Sequence, residues 1–293
     1  MKSILIPTDF GDTSRQIMHY ALNYAEALNA KSTIVHTYQP TMSPRRPIIG
    51  EGTYRQQILK KLREFTTVYI RPPFKKVFFS ALEGHPVHKL VEASKSGDFD
   101  LIIMGRSNKY EWLIHRFIES KTSRVCAKAH CPVLVVPRQA EFNNIHRVLL
   151  MQEAGDRNFS TGANETGLES PKNEMPVSAS VFQFSFPQQK SGFWSNLMKR
   201  NKISYRKVKI EIQEYIRKNS VDLLVMRIEP RLYSRSSSAF HYKRRLLLEL
   251  DIPILIVNPN VTQKEISSLI PGFNKRIIIN PGQGPATTSY TPN

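Results

Sequence analysis

The sequence predicts an α/β protein with two domains, each a parallel sheet flanked by helices, the second shortened. Three observations support this. Short apolar runs alternate with longer stretches of helical periodicity from residue 3 to residue 136, the order that builds parallel sheets. Runs such as Leu101–Met104 are apolar at consecutive positions, as strands covered on both faces must be. Two segments also recur. Phe99-Asp100-Leu101-Ile102-Ile103-Met104 returns as Val221-Asp222-Leu223-Leu224-Val225-Met226, and Cys131-Pro132-Val133-Leu134-Val135-Val136-Pro137 returns as Ile252-Pro253-Ile254-Leu255-Ile256-Val257-Asn258-Pro259. Asp100 and Pro132 are 32 residues apart, Asp222 and Pro253 31. Matched strands at matched spacing indicate two copies of one unit.

Taken in order, the first copy has strands expected near 3–7, 32–37, 75–80, 100–104 and 132–136, and helices near 14–29, 51–66, 86–96 and 115–129. The apolar run Ile4–Pro7 is short and Asp9 follows at once, so it reads as a first strand and not a signal peptide. The next segment carries apolar residues at 17, 21, 22, 25 and 28, a helical stripe. In the second copy, Arg147-Val148-Leu149-Leu150-Met151 corresponds to Ser3-Ile4-Leu5-Ile6-Pro7. Strands are expected near 147–151, 179–186, 221–226 and 253–257, and helices near 206–219 and 238–249, with a short one near 193–200. Ile4 to Asp100 spans 96 residues but Val148 to Asp222 only 74, so the second copy has lost about 22 residues from its front half. After Met151 the chain is polar and glycine-bearing without a stripe, which predicts a loop. The expected boundaries are 1–140 for the first domain, 145–259 for the second, and 260–293 for a C-terminal tail. The tail is largely disordered apart from one possible helix at 262–269, with residues 280–293 disordered.

At 293 residues with 40% hydrophobic content, the chain can bury two cores. No window approaches eighteen apolar residues, so no transmembrane segment is expected, and the location expected is cytoplasmic. The two cysteines, Cys126 and Cys131, cannot staple so long a chain and read as buried thiols in a reducing compartment. The net charge is +18, shared evenly between the halves. From Lys199 to Arg245 there are 14 basic and 4 acidic residues. Such a region suits a polyanion, either RNA or an anionic membrane assembly, and equally a solvated basic surface. The run Lys199–Lys209 carries Tyr205, with Phe193 and Trp194 just before it, but it lacks the pattern of an RNA-binding sheet. No nucleophile elbow, HExxH motif or zinc spacing is present. His85 and His88 lie three apart without an acid or cysteine at ligand spacing, so no metal site is assigned. Nothing in the sequence proposes an enzyme.

Four segments, ILIPTDFGDTS, IVHTYQP, EGHPVHKLVEASKSGDFDLIIMGRS and KTSRVCAKAHCPVLVVP, give residues 1 to about 138 a specific resemblance to the universal stress protein family. The second copy resembles a diverged repeat in which only the last two strands carry clear signal. The resemblance implies a fold of the adenine nucleotide alpha hydrolase-like type, with a strand-edge crevice that binds ATP in some members. It also implies pairing through the last strands, 132–136 and 253–257, as a homodimer or an intramolecular pseudo-dimer, and a role in stress response.

In nucleotide-binding members, the loop after the fourth strand reads G-x2-G-x9-G-[ST]. Glycines let backbone N–H groups close on phosphate, and a helix N-terminus adds its dipole. Here Gly105 matches the first glycine, Asn108 stands at the second, and Ile118-Glu119, or Glu119-Ser120 with one inserted residue, stand at the last pair. Added side chains and a carboxylate weaken such a clamp. Arg106, Lys109, Arg116 and Lys121 are available to offset the loss. By the same resemblance, the adenosine side of the site falls on Pro7, Thr8, Asp9 and Thr37, and the phosphate side on Met104, Gly105 and Ser120. Asp9 has two open readings, a ligand contact or a cap for the following helix and loop amides. ATP or AMP is the candidate ligand, and no cofactor is assigned. In the second copy, Gln152 and Glu153 replace the strand-end acid, and no glycine follows Met226 in RIEPRLYSRSSSAFHYKRRLLLEL. Nucleotide binding is not expected there.

Overall fold

A computed structural model describes residues 1–39, 51–70, 76–106, 120–153, 178–184, 209–227 and 249–273. Among the described residues, nine strands form one sheet: β1 (Ser3–Pro7), β2 (Lys31–Tyr38), β3 (Val77–Glu83), β4 (Leu101–Gly105), β5 (Val133–Val136), β6 (Arg147–Glu153), β7 (Ser178–Phe184), β8 (Leu223–Arg227) and β9 (Ile254–Val257). The helices are α1 (Asp12–Ala27), α2 (Glu51–Thr67), α3 (Pro86–Lys95), α4 (Lys121–Lys128), α5 (residues 209–218) and α6 (Gln263–Ser268). The spatial order is β3-β2-β1-β4-β5-β9-β8-β6-β7. All neighbours are parallel except β5 and β9, which pair antiparallel with Val133 opposite Ile256 and Val135 opposite Ile254. The edge of β5 is therefore closed within the chain, which satisfies its free backbone groups.

Alternation along the strands sorts the core into two layers. Ile4, Ile6, Leu101, Ile103, Leu134 and Val136 face a layer with α1 and α2. Leu5, Ile102, Met104, Val133 and Val135 face the opposite layer with α3 and α4. In β8 and β9, Leu223, Val225, Leu255 and Val257 join the first layer, and Leu224, Met226, Ile254 and Ile256 the second. Burying each such side chain contributes about 1.5–3 kcal/mol, and this is why the central strands are apolar at every position.

The hydrogen bonds repeat as well as the strand order, which in the second half runs β7-β6-β8-β9. The Asp100 carboxylate accepts from the Ser3 amide at 2.8 Å, and Asp222 accepts from the Arg147 amide at 2.9 Å. The Asp100 amide donates to the Ser3 carbonyl and the Asp222 amide to the Arg147 carbonyl. The Ile102 amide reaches the Pro132 carbonyl and the Leu224 amide the Pro253 carbonyl. The repeated aspartate thus ties the start of one strand to its neighbour in each half.

Residues 260–273, set apart in the sequence as the opening of a disordered tail, are packed. Thr262 and Glu265 cap α6 reciprocally, satisfying amides that a helix start leaves unpaired. Ile266, Leu269 and Ile270 are buried in the layer that holds Tyr20 and Tyr24 of α1. The Tyr24 hydroxyl donates to the Leu269 carbonyl at 2.6 Å. This segment crosses from the second half back onto the first. The helix expected near 193–200, all but the last residue of the one expected near 238–249, and the tail from 274 on lie outside the described residues.

Candidate functional site

With the order β3-β2-β1-β4-β5, the chain leaves β1 towards β2 on one side and returns to β4 on the other. The C-terminal ends of β1 and β4 thus flank a switch point, where open α/β sheets place ligands. A cavity of about 340 Å³ lies there, lined by Pro7, Thr8 and Asp9 after β1, Thr13 and Ser14 of α1, Val35, His36 and Thr37 of β2, Pro86, Val87 and Leu90 of α3, Met104 and Gly105 of β4, and Lys121 and Thr122 of α4.

The β1–α1 turn is built from its own side chains. The Thr8 amide donates to the Val35 carbonyl at 2.8 Å, prolonging the pairing of β1 with β2. The Thr8 hydroxyl accepts from the Phe10 amide. Asp9 Oδ1 accepts from the Gly11 amide at 2.9 Å and from the Ser14 hydroxyl at 2.8 Å, while Ser14 Oγ accepts from the Asp9 amide. Partial burial opposes ionisation of Asp9, but the Gly11 amide, the Ser14 hydroxyl and the Lys121 charge outweigh it and lower its pKa. Phe10 holds a left-handed φ of 63°, uncommon for an aromatic residue. Its ring is held by His36 at 4.5 Å and Phe65 at 5.4 Å between centroids, with Lys61 Nζ 4.4 Å away, so α2 braces the turn. His36 Nδ1 lies 2.8 Å from the Thr8 carbonyl. A carbonyl only accepts, so the proton of neutral His36 sits on Nδ1.

On the other wall, Gly105 has no room for a side chain, since a Cβ there would lie 2.7 Å from Thr13 Cγ2. The close approach of α1 to β4 thus explains this glycine without any phosphate. Thr122 Oγ1 donates to the Gly105 carbonyl at 2.9 Å, pinning the start of α4 to the end of β4.

Of the seven residues assigned from the resemblance, Pro7, Thr8, Asp9, Thr37, Met104 and Gly105 come together around the cavity. Ser120 is not among the lining residues. It is the N-cap of α4, its hydroxyl accepting from the Ser123 amide at 3.1 Å. Arg106, expected to offer charge to a phosphate, is committed elsewhere: its guanidinium donates to the Leu250 carbonyl and to Asp251 at 3.2 Å. Lys121 does line the cavity. Asn108, Lys109, Arg116, Ile118 and Glu119 lie outside the described residues. Thr13, Ser14 and Thr122 had no place in the sequence reading. Their signal was present in DTS and KTS, hydroxyl residues in the first turns of helices that follow the β1 and β4 strand ends.

The cavity offers one carboxylate, one ammonium group, an imidazole and several hydroxyls. Among the described residues, no group of three or more His, Cys, Asp and Glu is placed to hold a metal. Cys126 and Cys131 are free and buried, and burial pushes both thiols up to about 12. Among the described residues, no helix is long and apolar enough to cross a membrane.

A sequence model of the universal stress protein family matches residues 1–137. A universal stress protein of Methanocaldococcus jannaschii is 31% identical over 147 residues, which is 47% of this chain and 82% of that protein. The chain belongs to the universal stress protein family. A second family member, from Thermus aquaticus, is 26% identical over 141 residues, 46% of this chain and 98% of that protein. The solved structure of a universal stress protein from Archaeoglobus fulgidus covers more of the chain, 87% of it and 96% of that structure. Its TM-score is 0.51 at 12% identity, a likeness of fold alone.

Proposed function

We propose that this universal stress protein acts by binding and not by catalysis, as a stress-response regulator whose first-half cavity takes an adenine nucleotide weakly. The observation that carries this is the cavity at the switch point, about 340 Å³ and lined by both Asp9 and Lys121. Its volume is at the small end of ligand sites. A carboxylate suits the hydroxyls of a nucleoside, and one ammonium group suits one anion. The phosphate side is thin. Gly105 is accounted for by helix packing, the Ser120 hydroxyl by capping, and Arg106 by its contacts with residues 250 and 251. Asn108, and Ile118 or, with one inserted residue, Glu119, stand where phosphate-binding loops of the family carry glycine. Calorimetric titration of the full chain with ATP tests the reading. Binding at about the millimolar level, abolished by Asp9→Ala, is expected. Sub-micromolar ATP affinity, or ATP retained through purification, would refute it.

In the same reading, the second half is a degenerate repeat that serves as an in-chain partner. Its counterpart of Gly105 is Arg227: Gly105 pairs with Val136 in β5 and Arg227 with Val257 in β9. The buried Arg227 guanidinium donates to the Pro259 and Val261 carbonyls at 3.0 and 3.1 Å, so an arginine is built in where a ligand loop would begin.

A second reading is docking on a polyanion such as RNA through the region 199–245, favoured by its 14 basic against 4 acidic residues. Binding of a single-stranded RNA should weaken steeply between 50 and 200 mM salt. No binding at low salt would remove this reading.

A further inference from the structure

The crevice is not supported by the first half alone. Arg106 directly follows Gly105, a cavity wall. Its amide donates to the Val136 carbonyl at 2.9 Å, extending the β4–β5 ladder. Its side chain, 8% exposed, then crosses the seam to the Leu250 carbonyl and the Asp251 carboxylate. A bond returns from the other side, where Asn258 Nδ2 donates to the Ala129 carbonyl at 2.9 Å. Ala129 and Leu250 are equivalent positions, each three residues before the matched prolines Pro132 and Pro253. The two donors, Arg106 and Asn258, are not equivalent. The seam is therefore asymmetric, and the half that holds the cavity reaches across it from the cavity's own strand end.

We infer that Arg106 is a positioning residue for the first-half cavity, and that the Leu250–Asp251 segment of the second half is part of that cavity's scaffold. A buried guanidinium held by the Leu250 carbonyl and an exposed carboxylate has little freedom, because releasing it leaves its own charge and the Leu250 carbonyl unpaired in the interior. Its backbone fixes the neighbouring Gly105 carbonyl, which accepts from Thr122 and so sets the start of α4 beside Lys121. Second-half position thus passes to the end of β4 and the start of α4 through the Arg106 side chain, the Gly105–Arg106 peptide and the Thr122 hydrogen bond. By linkage, a ligand that prefers the tethered arrangement protects residues 250–254, and loss of the tether weakens that ligand.

The consequence for ligand rests on the proposed nucleotide binding, whereas the positioning itself does not, and hydrogen exchange separates them. Full-length wild type, R106Q, R106K and D251N are compared with AMP as the probe. In the absence of AMP, R106Q should speed exchange at the amides of 104–106 and 122–123 while those of 4–6 and 32–36 stay protected. With AMP, its affinity should fall roughly threefold to thirtyfold. R106K should rescue little, since an ammonium group cannot fork to both acceptors. If R106Q does not fold, D251N carries the test, because it removes the charge of one partner while keeping its acceptor oxygen and should give a smaller change in the same amides. Exchange at 104–106 unchanged in folded R106Q or D251N would overturn the positioning role. Failure of wild type to bind AMP, with exchange altered as expected, would leave the tether standing and refute the nucleotide reading.

Discussion

Replacing Gly105 by alanine should destabilise this protein, although the usual effect of Gly→Ala at a compatible backbone position is a gain of about 0.4–1 kcal/mol. The added Cβ would lie 2.7 Å from Thr13 Cγ2 and 3.4 and 3.5 Å from two Ile17 side-chain carbons. The first distance is well inside contact. Thr13 is β-branched and sits in the first turn of α1, so its methyl has few rotamers in which to escape. Ile17 is buried one turn further on. Overpacking of this kind costs about 1–3 kcal/mol, leaving a net loss of roughly 1–2 kcal/mol after the entropic gain. Urea denaturation followed by circular dichroism should show a lower midpoint at an unchanged slope. The variant G105A/T13S, which removes the offending methyl, should recover most of the loss, a non-additivity that marks direct contact. A G105A protein as stable as wild type, or a double variant no better than the single, would refute the packing account and return this glycine to phosphate binding.

Tyr24→Phe removes the hydroxyl that donates to the buried Leu269 carbonyl and should lower stability by about 1–3 kcal/mol, read as a midpoint shift in the same denaturation. Asp9 has a lowered pKa in the folded chain, so its contribution is present above its unfolded value, about 3.9. That contribution is lost as pH falls through the lower folded value. The difference in stability between wild type and D9N should therefore be constant near neutrality and shrink below about pH 4. A difference that grows on acidification would contradict the sign. Cys126 and Cys131, with thiols pushed up to about 12, should resist a thiol reagent at pH 8 in the native state and react after urea unfolding. Rapid native labelling would show that the interior opens.

Much of the first half was legible because its strands are buried on both faces, so apolar runs alone located β1, β4 and β5 to within a residue or two. β3, expected at 75–80, is Val77–Glu83. It is an edge strand, Phe78 is half exposed, and its pattern is correspondingly less continuous. Strand-end residues such as Asp9 and Met104 were legible through the resemblance of their segments, ILIPTDFGDTS and DLIIMGRS, to the universal stress protein family, and the strand order then placed them at a switch point. What could not be read was where long side chains go once the chain has folded. Arg106 reaches residues 250 and 251, and Tyr24 reaches residue 269. No local pattern encodes contacts at such separations. The apolar residues of α6 were visible at 262–269, but a Pro-, Gly- and Thr-rich sequence follows them, and their packing is explained only by the α1 flank of Tyr20 and Tyr24 that shares their layer.

The central claim is that the crevice has kept the nucleoside side of a nucleotide site and lost most of its phosphate side. Dissociation constants of the full-length protein for adenosine and ATP, measured in one calorimetric series, test it most directly. The account predicts weak binding of both, with the triphosphate favoured by no more than about tenfold, or about 1.4 kcal/mol. ATP bound a thousandfold or more tightly than adenosine would mean that an intact phosphate clamp exists, and would contradict it.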